Sequence, residues 1–151
     1  MKHKPFVMLM LITCLLTACL PSFADEEKKV AITGNDQMKY DVTSIEVTAG
    51  QKVTITISNG GQIPKTAMAH NFVLLKPGTD VTAFATAGMS QPASEYIAPD
   101  QADKVIAKTK SVGPGESDTI TFTAPAAGTY DYICTFPGHV MAGMRGVLTV
   151  K

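Results

Sequence analysis

The chain has 151 residues and a mass of 16.0 kDa, which suits one domain built around a single core. Hydrophobic residues make up 45% of the chain and charged residues 17%, a composition that excludes intrinsic disorder over most of its length. Thirteen basic residues balance thirteen acidic residues, so no basic excess favours a nucleic-acid partner.

The N-terminal segment has the pattern of an export signal. Two lysines precede an uncharged apolar run over residues 5–20, which is short for a transmembrane span. One interpretation takes residues 1–24, ending in Ser-Phe-Ala, as a signal peptide and residues 25–151 as the mature domain. The other takes residues 1–18 as the signal and attaches lipid to Cys19, the last residue of Leu-Thr-Ala-Cys. Both predict export to the bacterial periplasm, and the second adds a membrane anchor.

Removal of this segment leaves few residues that can titrate near neutral pH or react. Residues 25–151 keep 11 basic and 13 acidic residues, two histidines (His70 and His139) and one cysteine, Cys134. An exposed unpaired thiol would oxidise or cross-link in an oxidising compartment. Cys134 is therefore either a small buried hydrophobic residue or a group that a partner such as a metal occupies.

Alternation of polar and apolar residues predicts about eight short strands. The runs richest in β-branched residues are 42–47, 53–57, 119–123 and 147–150, and four further runs are 28–33, 71–76, 105–108 and 129–135. Short strands separated by glycine and proline turns predict an all-β fold, either a Greek-key β-sandwich or a barrel. Residues 80–103 lack the alternation and predict a short helical flap between strands.

The residues with chemical potential gather near the C-terminus. The segment from Cys134 to Met144 carries the thiol of Cys134, the imidazole of His139 and the thioethers of Met141 and Met144. His70 lies far away in sequence, at the start of a predicted strand. Alone, each residue is more often structural, but two imidazoles, one thiolate and a weak thioether form the donor set of electron-transfer copper. Soft sulfur suits Cu(I) and imidazole suits both oxidation states, so the combination predicts a copper site.

Four segments carry a resemblance to a known family. They are residues 34–38 (Gly-Asn-Asp-Gln-Met), 64–71 (ending in Met-Ala-His-Asn), 105–110, and 134–139 (Cys-Thr-Phe-Pro-Gly-His). Over residues 30–151 the chain resembles the cupredoxins, and among them the azurins and auracyanins. The resemblance implies a cupredoxin-like sandwich that holds one type 1 blue copper.

The resemblance also implies a ligand set. His70, Cys134 and His139 match the equatorial copper ligands, Met144 matches the axial ligand, and the carbonyl of Ala69 matches a second, distant axial oxygen. Four residues separate His139 from Met144, whereas azurin has three at this place. This spacing, which auracyanin and plastocyanin share, favours Met144 over the nearer methionine as the axial ligand.

Two further groups follow from the same resemblance. Asn71 and the backbone N–H of Phe136 match groups that hydrogen-bond the ligand sulfur. An apolar patch for docking redox partners is expected around an exposed edge of His139, although core packing of Met89 is an open alternative. The expected members of the patch are Met38, Met68, Met89, Phe136, Pro137 and Met141.

Together these observations predict a single-electron carrier that is not an enzyme. It would cycle between Cu(I) and Cu(II) in the periplasm and exchange electrons with redox proteins such as cytochromes or terminal reductases and oxidases. Two alternatives stay open. A copper storage or resistance protein would use the same donors, and a thiol enzyme would use Cys134 as its nucleophile, although no residue is evidently placed to orient a histidine base.

Overall fold

The computed structural model describes residues 26–151, so both interpretations of the N-terminal segment, including lipid on Cys19, lie outside the described residues. Eight strands occur in this range, as the alternation predicts. They are β1 (Lys28–Gly34), β2 (Ser44–Val47), β3 (Lys52–Asn59), β4 (Val73–Leu75), β5 (Val105–Lys108), β6 (Ser117–Thr123), β7 (Gly128–Ile133) and β8 (Arg145–Val150). No helix within residues 26–151 has the length and apolar character needed to cross a membrane.

The strands form two separate sheets. One sheet has the order β1-β3-β6 and the other the order β2-β8-β7-β4-β5. The pairs β1–β3 and β2–β8 are parallel, and the remaining pairs are antiparallel. Within the described part of the chain the two sheets do not join, so the structure is a sandwich and not a closed barrel.

The main core lies between the sheets because their inner faces carry the apolar residues of each alternation. In β3, for example, Val53, Ile55 and Ile57 are all buried. The intervening threonines face outward, where Thr54 and Thr56 form hydroxyl contacts of 2.7 and 2.8 Å with threonines of β6. Such cross-strand pairs stabilise the sheet from its solvent side.

The predicted flap over residues 80–103 is confirmed. It comprises α1 (Val81–Gly88) and two 3-10 helices, Pro92–Ser94 and Pro99–Lys104. Asp80 caps α1 because its side chain accepts a hydrogen bond of 2.9 Å from the N–H of Ala83. Phe84 and Ile97 of the flap join a second buried cluster with residues of β4 and β7. This cover explains why all three residues of β4 are buried.

Candidate metal centre

Three side chains from distant parts of the sequence meet just beyond the end of β7. These are His70, Cys134 and His139, and their potential ligand atoms all lie within 4.8 Å of one another. The Sγ of Cys134 is 3.3 Å from Nδ1 of His139, and the two imidazole centres are 5.1 Å apart. The structure therefore brings together the three strongest donors that the sequence predicts.

The strands on either side hold each of these residues in place. His70 lies just before β4, in a two-way backbone bridge with Val112 that has N···O distances of 3.0 and 2.8 Å. Cys134 follows β7 directly, and its N–H donates to the carbonyl of Met144 at 3.2 Å. His139 lies in the loop from β7 to β8, and Met144 donates its N–H to the carbonyl of His139 at 2.9 Å. Antiparallel pairing of β7 with β8 fixes both ends of this loop.

Burial controls the charge of the cluster. The exposed fraction is 0% for His70 and Cys134 and 1% for His139. Burial lowers the pKa of His70, and the nearby backbone of Asn35 and carboxylate of Asp36 only partly oppose that shift. Burial and the neighbouring His70 lower the pKa of His139 to about 4. Burial raises the pKa of Cys134 to about 11, so the metal-free cluster at neutral pH consists of two neutral imidazoles and one thiol.

The donors of this cluster fit a bound metal. Both ring nitrogens of His70 are buried and lack a hydrogen-bond partner among residues 26–151. Buried polar atoms without partners are costly, and a coordinated ion would satisfy one of these nitrogens. Cys134 is a buried free cysteine, and a sulfur with two imidazoles is the combination that suits copper.

The two methionines of the loop occupy different environments. Met144 is fully buried, whereas Met141 is 73% exposed. A Cβ atom added to Gly34 would lie 2.5 Å from Cδ2 of His70 and 2.9 Å from Cε of Met144, so both side chains pack on this glycine. The structure thus places Met144 beside the cluster and Met141 at the surface.

Asn71 ties the two ligand-bearing segments together. Its side-chain oxygen accepts the N–H of Thr135 at 2.9 Å, and its amide group donates to the Thr135 hydroxyl at 2.7 Å. The backbone N–H groups of Asn71 and Phe136 partly offset the rise in the pKa of Cys134 that burial causes. The carbonyl of Ala69 lies 3.8 Å from the Cys134 sulfur, on the fringe of the cluster.

A connection between the flap and the loop from β7 to β8 is not apparent from the sequence. The Thr135 hydroxyl donates to the carbonyl of Glu95 at 2.6 Å, and the ring of Tyr96 meets the ring of Phe136 edge-on at 5.2 Å. Glu95 and Tyr96 have φ angles of 59° and 57°, which are uncommon outside glycine. The position of Thr135 directly after Cys134 was a usable signal for its role, whereas nothing in the local sequence marks Glu95.

The surface near the cluster differs in part from expectation. The prediction that an edge of His139 is exposed is wrong, because the ring is buried and its centre lies 4.8 Å from that of the Phe136 ring. Core packing of Met89 is also wrong, because this side chain is 49% exposed. The other expected members of the patch that are only partly buried are Met38, Met68, Phe136 and Pro137.

Comparison with known families shows the family of the chain. A family model described as copper binding proteins of the plastocyanin/azurin family matches residues 26–151. The chain belongs to this family and is a cupredoxin. Azurin of Pseudomonas aeruginosa is 40% identical to it over 130 residues, which cover 83% of this cupredoxin and 86% of the azurin. Auracyanin-A of Chloroflexus aurantiacus is 40% identical over 118 residues, which cover 77% of this cupredoxin and 69% of the relative.

Solved structures agree with this assignment. Dithionite-reduced auracyanin from Roseiflexus castenholzii matches with a TM-score of 0.72 and 37% identity, over 82% of this cupredoxin and 97% of that chain. Auracyanin A of Chloroflexus aurantiacus, described as a "blue" copper protein, matches with a TM-score of 0.74 and 38% identity, over 83% and 99% of the two chains. The predicted cupredoxin-like sandwich is confirmed. Family membership and the His-Cys-His cluster together indicate a blue copper electron carrier with one type 1 copper as its cofactor.

Proposed function

We propose that this cupredoxin is a single-electron carrier of the bacterial periplasm that exchanges electrons with redox proteins such as cytochromes and terminal reductases or oxidases. The buried His-Cys-His cluster is the observation that carries the proposal. Bound copper supplies the one-electron chemistry by cycling between Cu(I) and Cu(II). The chain holds the donors and keeps bulk water away from them, because all three donor side chains are almost fully buried.

The geometry around the cluster supports the ligand set that the family resemblance implies. His70, Cys134 and His139 would hold copper as its equatorial ligands, with Met144 as the proposed axial ligand and the Ala69 carbonyl as the proposed distant axial oxygen. The burial of Met144 and its packing beside His70 on a shared glycine support the axial assignment. The Ala69 carbonyl lies on the sulfur side of the cluster, at 3.8 Å from Cys134.

The surroundings of the cluster restrain its rearrangement. The Asn71–Thr135 hydrogen bonds join the segment that carries His70 to the loop that begins at Cys134. N–H groups of Asn71 and Phe136 stabilise the thiolate form. Partners of this kind orient ligands and tune a metal site, so a small reorganisation on electron transfer is expected.

Substitution of the two loop methionines tests the axial ligand. Met144→Ala is expected to keep copper and its blue colour but to raise the redox potential. The reason is that Cu(II) loses a donor, whereas Cu(I) tolerates three-coordination. Met141→Ala is the matched control and is expected to leave the spectrum and the potential unchanged, because its side chain is 73% exposed. Visible spectroscopy and voltammetry give both readouts. A larger spectral change in Met141→Ala than in Met144→Ala would contradict the assignment.

The proposed partner surface is the apolar patch defined above, in which Met141 and Met89 are the most exposed members. Methionine side chains are soft and adaptable, which suits brief encounters over small areas. His139 contributes to electron entry from beneath this surface, since the ring of Phe136 packs on its imidazole. The N-terminal signal pattern supports the periplasmic location, and lipid on Cys19 would hold the carrier at a membrane.

The copper-loaded protein tests the function directly. An intense visible thiolate-to-copper band and rapid electron self-exchange are expected, and Cys134→Ser is expected to lose the band because a hydroxyl offers no soft sulfur to copper. A storage or resistance protein would bind copper with slow self-exchange. A thiol enzyme would show Cys134 reactivity without the band. Either of these results would refute the electron-carrier proposal.

A further inference from the structure

A tyrosine hydroxyl in the core binds the backbone of the residue that follows His70. Tyr40, in the connection between β1 and β2, is buried and forms an isolated backbone bridge with Gly34. Its hydroxyl donates to the carbonyl of Asn71. Tyr40 and Cys134 belong to the same buried cluster. Burial is the main cause that raises the pKa of each group, and the Tyr40 hydroxyl partly opposes the rise for Cys134.

Asn71, the residue that the Tyr40 hydroxyl binds, links Tyr40 to the His-Cys-His cluster. It follows His70 directly, and its side chain holds Thr135, the residue after Cys134, through two hydrogen bonds. Its backbone N–H favours the thiolate form of Cys134 and so partly opposes the rise in pKa that burial causes. The remaining polar group of Asn71 is its carbonyl, and Tyr40 binds it. Tyr40 therefore anchors the segment that carries one proposed ligand and orients a donor toward another.

We propose that Tyr40 is a positioning residue that raises the redox potential of the copper site by holding Asn71 against the ligand sulfur. The proposal rests on the assignment of Cys134 as a copper ligand. Hydrogen bonds around a ligating sulfur tune the potential of a copper site, because they stabilise the electron-rich sulfur of the reduced state more than that of the oxidised state. The Tyr40 hydroxyl holds the backbone of Asn71, whose N–H favours the thiolate form of Cys134.

Tyr40→Phe is the direct test because it removes the hydroxyl and keeps the ring, which packs 5.8 Å from the ring of Tyr132. The equilibrium constant for reduction is expected to fall about tenfold, the order expected for loss of a hydrogen bond that acts on a charged group. The Asn71 amide of the metal-free variant is expected to exchange with solvent deuterium about tenfold faster, which gives a readout without copper.

Tyr132→Phe is the matched control. The Tyr132 hydroxyl donates to the carbonyl of Val42 at 2.7 Å, and its ring stacks on Phe72 at 5.0 Å. Loss of the Tyr132 hydroxyl removes a comparable hydrogen bond in the core, but this bond does not reach the segment that carries His70. The variant is expected to lose stability while its potential and the Asn71 exchange rate stay as in the wild type.

The outcomes separate this proposal from the proposed function. Failure of the wild type to show a blue band would refute the function, whereas a blue wild type whose potential Tyr40→Phe leaves unchanged would refute only the role of Tyr40. Equal shifts in Tyr40→Phe and Tyr132→Phe would also refute it, since they would indicate a general effect of core hydroxyls.

Site-specific 3,5-difluorotyrosine at position 40 is a stronger donor in a nearly unchanged core, and it is expected to raise the potential. No shift or a fall in that variant would contradict the proposal even if Tyr40→Phe did not fold.

Discussion

Binding of Cu(II) to the metal-free protein at neutral pH is expected to release about one proton, and the apparent affinity is expected to rise about tenfold per pH unit. Burial raises the pKa of Cys134 to about 11, so copper must displace the thiol proton to gain a thiolate ligand. Burial lowers the pKa of His139 to about 4 and also lowers that of His70. Both imidazoles are therefore already neutral at neutral pH, and copper displaces no imidazolium proton. The linkage therefore extends from mildly acidic pH up to the pKa of the thiol.

Calorimetry in buffers of different ionisation enthalpy measures this proton release. Cys134→Ser is the control, since a serine hydroxyl does not ionise in this range and the variant is expected to bind copper weakly without releasing a proton. Release of two or more protons by the wild type would show that an imidazole of the metal-free site is protonated. A pH-independent affinity would show that the thiol is already ionised.

Gly34→Ala is expected to disrupt the copper site from a position that supplies no ligand. The added Cβ would lie 2.5 Å from Cδ2 of His70 and 2.9 Å from Cε of Met144, closer than carbon atoms can approach. Gly34 is buried at the end of β1, so the side chains must move and not the methyl group. Overpacking of this kind costs about 1–3 kcal/mol of unfolding free energy. We expect a comparable loss in copper binding, about tenfold or more in affinity, with a shifted blue band.

Gly60→Ala is the matched control for this substitution. Gly60 is exposed and donates its N–H to the Gly34 carbonyl at 2.9 Å, so it lies on the same local backbone. Its added Cβ would meet a methyl group of Thr33 at 3.0 Å and is not close to the cluster. Copper competition titrations and visible spectra of both variants provide the comparison. Wild-type affinity and colour in Gly34→Ala would contradict the close packing of His70 and Met144 on this glycine.

The local pattern of polar and apolar residues was sufficient to predict the strands and the helical flap. The Thr-Ile alternation of β3 specifies which face is buried, and the loss of alternation after Asp80 marks the flap. The metal donors were predictable for a chemical reason. Residues 26–151 contain one cysteine and two histidines, and one thiolate with two imidazoles is a donor set typical of copper sites. The structure brings these three residues together, as expected.

Periodicity assigns a residue to a face but does not say which residue will lie opposite it. The sequence therefore determined the strands, the flap and the donor types, while only the tertiary structure decided between sandwich and barrel and covered His139 with Phe136. The hydrogen bonds from Thr135 to Glu95 and from Tyr40 to Asn71 are likewise long-range contacts. They depend on how two sheets and a flap pack together, because a polar group in a core takes whichever partner the packing brings within hydrogen-bonding distance.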